Sequence, residues 1–115
     1  MPTDPNCLFC KIINGDIPAD KVYEDDEFLA FNDINPQAPV HVLLIPKLHI
    51  ETINELNDKD LAGKLFTMVP KLAKDLGIAD DGYRTIVNCQ EGAGQTVFHL
   101  HVHILGGRGF SWPPG

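Results

Sequence analysis

Between residues 99 and 103 the chain reads His-Leu-His-Val-His, and this alternation limits the local backbone more than any other stretch. In an extended strand successive side chains point to opposite faces. His99, His101 and His103 then share one side, and Leu100, Val102 and Ile104 the other. Such a strand packs its aliphatic face on a core and presents three imidazoles on the opposite face. The β-branched and aromatic residues around it extend the expected strand over Val97 to Leu105.

The remaining elements follow from spacing and punctuation. Lys21 to Glu24 and Glu27 to Asn32 read as strands joined by the acidic turn Asp25-Asp26, and Tyr83 to Cys89 as another. His41 to Pro46, HVLLIP, is almost continuously apolar, which implies burial on both faces. Cys7 to Ile13 fits a short helix ended by Asn14-Gly15. Leu61, Leu65, Val69, Leu72 and Leu76 recur at helical spacing. Asn57 and Asp60 offer the N-cap and acidic first turn, Gly77 the C-cap, and Pro70 a kink. Five strands with one long and one short helix point to a single α+β domain, residues 1–115, built on a five-stranded antiparallel sheet.

Charge narrows the partners. The net charge is −7 and no Lys/Arg cluster occurs, so a nucleic acid polymer is not an expected partner. A small anion remains compatible, because backbone N–H groups hold phosphate without net positive charge. No apolar run approaches the roughly 20 residues of a membrane span, and the first residues lack a basic-then-apolar leader. A cytoplasmic protein, not membrane-bound, is the expectation. Three cysteines favour metal binding or burial over a disulfide framework.

The histidine row admits three readings: satisfied core residues, one metal held by all three rings, or a catalytic row. The outer rings stand about 13 Å apart along a strand, which strains a three-ligand chelate. Neutral imidazole is a good nucleophile and titrates near neutrality, so the catalytic row fits better. Gly92 to Thr96, with Gly94 and Gln95 in its middle, precedes the row and reads as a phosphate cradle. Cys7-Leu-Phe-Cys10 reads either as half of a structural zinc site or as two core cysteines.

GQTVFHLHVHILGGR resembles the histidine triad motif. With FNDINPQAPVHVLLIPK, GYRTIVN and WPPG, the chain from Phe9 to Gly115 resembles the Hint branch of the histidine triad nucleotide-binding proteins. That resemblance implies a purine nucleoside phosphoramidase working through a nucleotidyl-histidine, with no cofactor needed for catalysis. His101 would attack the α-phosphorus, supported by His103 and His41, with the Thr96 hydroxyl near the leaving group. Gly94, the Thr96 backbone and Asn88 would hold phosphate, and Asp33 the ribose hydroxyls. Phe9, Ile12, Ile17, Phe31 and Ile34 would wall the base slot, while Asn32 stands where some relatives carry His. The resemblance further implies a homodimer in which the tail, residues 106–115, brings Trp112 toward the partner's site. It implies a structural zinc on Cys7, Cys10, His49 and His99. Hydrolysis of dinucleoside polyphosphates or aminoacyl-adenylates stays open, as does a non-catalytic nucleotide-binding scaffold. A zinc-sensing module stays open only if the triad itself binds metal.

Overall fold

In the computed structural model, which describes residues 3–115, five strands form one antiparallel sheet. Strands β1 (Lys21–Glu24), β2 (Phe28–Asn32), β3 (Val40–Pro46), β4 (Tyr83–Ile86) and β5 (Val102–Gly106) lie in the order β1-β2-β3-β5-β4. Helix α1 is Leu8–Ile13 and helix α2 is Lys59–Asp75. The two helices cover opposite faces. Phe28, Ala30, Val42, Leu44, Val102 and Ile104 pack with Leu61, Leu65, Val69 and Leu72 of α2. Leu29, Phe31, Leu43 and Ile45 pack with Phe9, Cys10 and Ile12 of α1. β3 is therefore buried on both faces, as its unbroken apolar run requires. Each fully buried aliphatic side chain contributes roughly 1.5–3 kcal/mol, so these two layers hold the sheet rigid beneath the histidines.

Local chemistry sets the element ends. Asp58, rather than Asn57, caps α2: its carboxylate accepts from the N–H groups of Asp60 and Leu61, and Asp60 stands in the first turn as expected. Leu76 is the C-cap, and Gly77 follows in the left-handed region at φ +75°, where a Cβ would be strained. α2 continues through Pro70, which is exposed, so the carbonyl that it leaves unpaired faces water.

The strand expected over Val97 to Leu105 begins only at Val102. Leu44 pairs with Val102, and continuing that register sets Pro46 opposite Leu100. Pro46 has no N–H to give, and its carbonyl accepts from the His99 ring instead. The Leu100 N–H turns to the carbonyl of Ile50 at 2.6 Å. Residues 99–101 thus run beside β3 without a ladder. β4 stops at Ile86, paired with His103, and the stretch to Cys89, expected as strand, is irregular. Among the described residues no helix is long and apolar enough to cross a membrane.

Candidate active site

The histidine row lies on the α1 face of the sheet, and backbone groups decide which nitrogen of each ring carries the proton. His101 Nδ1 lies 2.7 Å from the carbonyl of His99, so it donates and leaves Nε2 as the free lone pair. The Gln37 N–H donates to His41 Nδ1 at 3.0 Å, which puts the His41 proton on Nε2. That proton is donated to His103 Nδ1 at 2.9 Å, so His103 carries its own proton on Nε2. The His101 and His103 rings are 5.0 Å apart and those of His103 and His41 5.2 Å. Burial holds His101 and His41 below the ordinary imidazole value, Asp33 opposing it in both cases. Burial, with the neighbouring His101 and His41, pushes His103 down to about 4. All three rings are therefore neutral near pH 7, the form in which an imidazole is nucleophilic.

An open slot of about 390 Å³ lies beside His101 and His103. Phe9 and Ile12 of α1, Ile17, Phe31 of β2 and Ile34 line it, together with Asp33 and Thr96. All five apolar residues expected to wall a base slot are thus brought together. Ile34 stands fully exposed at the rim, and the Phe9 ring meets Phe31 and His101 edge-on at 5.4 and 5.2 Å. Asp33 follows β2; its Oδ1 accepts the Asn35 N–H at 2.9 Å and its Oδ2 lies 3.5 Å from His41 Nε2. Asn32 also lines the slot, its amide donating to Asp20. Leu8, Pro18, Ala19, Leu43 and Val97 complete the wall, and none of them was expected among its residues.

Asn88 lies in a second hollow, of about 560 Å³, across His103 and His41 from the slot. Arg84, Arg108 and Phe110 also line it, and both guanidinium groups lie over the Phe110 ring. Arg84 Nη2 donates to the Ser111 carbonyl, so the tail folds back beside β4 of its own chain. Trp112 is 82% exposed and lines neither hollow. Gly94 closes the loop before the row in a left-handed turn at φ +87°, outside both hollows.

Gln95 is corrected by the structure. It was expected to contribute to a phosphate cradle, but its side chain is buried and clamps the loop. Its amide donates to the carbonyls of Glu51 and Val97 and accepts from the Gln90 N–H, and its own N–H bonds the Gln90 carbonyl. With those groups satisfied inside the protein, the role of Gln95 is to shape the loop that carries Thr96. Gln37 is the opposite case. Sequence reading passed over it because its contribution is a main-chain N–H, which leaves no side-chain signature.

At the far end of the row the His99 ring is fully buried and points to a second group of residues. Cys7, Cys10, His49 and His99 each offer one ligand atom, all within 4.8 Å of one another. Cys7 caps α1, its sulfur accepting the Cys10 N–H. His99 donates from Nε2 to the Pro46 carbonyl at 2.7 Å, so its Nδ1 lone pair faces the cluster. Around that nitrogen lie Cys7 Sγ at 3.4 Å, Cys10 Sγ at 3.6 Å and His49 Nδ1 at 3.3 Å, and Cys10 Sγ is 3.3 Å from His49 Nδ1. A tetrahedral ion with bonds of about 2.3 Å to sulfur and about 2.0 Å to nitrogen requires S–N edges of about 3.5 Å and N–N edges of about 3.3 Å. The donor set and its spacing fit a zinc-type ion.

Residues 14–110 match the family model described as the HIT domain. A protein of Escherichia coli described as purine nucleoside phosphoramidase is 48% identical over 103 residues, covering 88% of this chain and 87% of its own. A HIT-like protein of Synechocystis is 56% identical over 110 residues, covering 94% and 96%. The crystal structure of a HIT family hydrolase from Legionella pneumophila matches with a TM-score of 0.93 at 53% identity, covering 96% of this chain and 100% of that one.

Proposed function

The chain belongs to the HIT domain family, and from that premise we propose that it is a purine nucleoside phosphoramidase, hydrolysing adenosine or guanosine 5′-monophosphoramidates. One observation carries the reading: the unprotonated Nε2 of His101 sits beside an apolar slot with the Asp33 carboxylate at its edge. The purine enters between Phe9, Ile12, Ile17, Phe31 and Ile34, and Asp33 accepts from the ribose hydroxyls. His101 Nε2 attacks the α-phosphorus, the P–N bond breaks, and the amine departs with a proton. The Nε2–H of His103 and the Thr96 hydroxyl are the donors facing the phosphate oxygens and the leaving nitrogen, with Asn88 on the far side of His103. Water then attacks the nucleotidyl-His101, releasing nucleoside monophosphate and restoring the imidazole.

In this reading Cys7, Cys10, His49 and His99 hold a structural zinc; four protein ligands leave no position for a reacting water. The protein acts in the cytoplasm as a homodimer whose tail carries Trp112 to the partner's slot. A substrate panel on one preparation tests the assignment: an adenosine phosphoramidate, an aminoacyl-adenylate and a diadenosine polyphosphate. The phosphoramidate should turn over fastest, and His101→Ala should lose at least about 10³-fold in turnover while still binding nucleotide. Faster cleavage of the diadenosine polyphosphate overturns the substrate class. A His101→Ala chain that keeps a tenth of the activity removes the nucleophile.

A further inference from the structure

The segment that lines the slot is held to the sheet in an unusual way. Helix α1 has six residues, too few to persist on its own, since isolated helices below about 12–15 residues are marginal in water. Its backbone hydrogen bonds are local, running between Asp4 and Ile17. Among the described residues, the side-chain polar contacts that tie α1 and its cap to the rest of the fold are those of Cys7 and Cys10 with His49 and His99. Everything else that fastens it is apolar packing. Yet the same segment provides Leu8, Phe9, Ile12 and Ile17 to the slot.

Two residues belong to both places. Phe9 lies between the two cysteines in sequence, and its ring meets His99 edge-on at 6.0 Å and His101 at 5.2 Å. His99 faces the cluster with Nδ1, while its carbonyl accepts the proton that fixes the His101 tautomer. The His99 lone pair faces His49 Nδ1 and two sulfurs across 3.3–3.6 Å, the spacing a tetrahedral cation requires. A cation bound there would fasten α1, through Cys7 and Cys10, to His49 and His99.

We propose that the cluster and the nucleotide slot are energetically coupled: with metal bound, α1 is drawn onto the sheet, and Phe9 and His99, acting as positioning residues, set the slot wall and the aim of His101. The metal therefore does more than stabilise the fold. It raises nucleotide affinity, and by thermodynamic reciprocity bound nucleotide raises metal affinity by the same factor. This rests on the nucleotide reading above, and the test separates the two.

Zinc affinity of the full chain is measured by chelator competition with and without saturating AMP, and AMP affinity is measured by calorimetry on zinc-loaded and stripped protein. Both pairs should differ by the same factor, at least about tenfold or 1.4 kcal/mol. Phe9→Leu should keep zinc, bind AMP more weakly and bring the factor toward one. Zinc affinity indifferent to bound AMP overturns the coupling, and this arm needs only the intact protein. A chain that binds no zinc overturns it as well. A Phe9→Leu chain with the full factor removes Phe9 from the path. Loaded wild-type protein that binds no AMP overturns the nucleotide reading instead.

Discussion

Two clusters on the α1 face are built from similar parts and end in opposite chemistry. Cys7, Cys10, His49 and His99 form one; Asp33, His41 and His103 form the other, and each brings its ligand atoms within 4.8 Å. In the first, the Pro46 carbonyl accepts a hydrogen bond from the His99 Nε2–H, which leaves the bare Nδ1 lone pair facing inward. In the second, the Gln37 N–H occupies His41 Nδ1 and forces a proton onto the nitrogen that faces His103. The first gathers four donor atoms at a spacing that a metal cation fits. The second already holds a proton between its rings and is a hydrogen-bond relay. Beyond their different side chains, the main-chain groups behind the rings set which nitrogens carry protons.

The largest effect should come from removing the sulfurs. Cys7→Ala/Cys10→Ala should lose a zinc otherwise present at close to one per chain by metal analysis. Metal binding is folding energy where a site ties elements together. A loss of about 2–3 kcal/mol corresponds to roughly 10 °C or more in a domain of this size, read by thermal melting. Zinc retained at full stoichiometry in that variant would mean the ion sits elsewhere, with the relay as the next candidate.

On the relay side the effect is smaller and falls on the ligand. Asp33 is held by the turn at Asn35, and removing the ribose hydroxyls leaves its carboxylate desolvated and unpaired. The 2′,3′-dideoxy form of a good ligand should bind at least about tenfold more weakly, or roughly 1.4 kcal/mol. Asp33→Ala should weaken the ribonucleotide and erase the difference. Equal binding of both forms by the wild type would reduce Asp33 to a turn residue.

These predictions depend unequally on what a sequence reader can see. The alternating histidines, the two-sided strand HVLLIP and the spaced Leu61–Leu76 face are patterns of side chains, and the sheet and α2 follow from them. Phe9, Phe31 and Asp33 were expected together from the family resemblance, and they line one slot. The misplaced pieces all turn on main-chain atoms. Pro46 lacks an N–H and ends the ladder, so the strand expected from Val97 begins at Val102. Asp58 holds the cap because its carboxylate reaches two N–H groups, a matter of loop geometry that Asn57 matches in residue type. Gln95 looked like a ligand residue because a polar side chain beside glycines is equally suited to bind an anion or to clamp a loop.

A further prediction concerns acid. His103 has a folded value of about 4 against an ordinary 6.5, lowered by burial and by His101 and His41, with Asp33 pulling the other way. A depressed imidazole binds its proton more readily when unfolded. Its contribution to stability is therefore complete above pH 6.5 and is lost as the pH falls toward about 4. Denaturant unfolding across that range should show the wild type losing stability more steeply than His103→Asn. Parallel curves would show that His103 does not titrate differently in the folded protein.

Gln37 carries an evolutionary consequence. It sits between Pro36 and Pro39, and what it lends to the relay is the N–H that sets His41. Its carbonyl accepts from Arg108, again through the main chain. Every residue type except proline has that N–H. Drift at position 37 therefore keeps that N–H across nearly the whole alphabet, while a single letter, already present one residue before it, would move a proton and disarm the relay. A site wired through the backbone tolerates change where it is held and fails only where the donor itself is deleted.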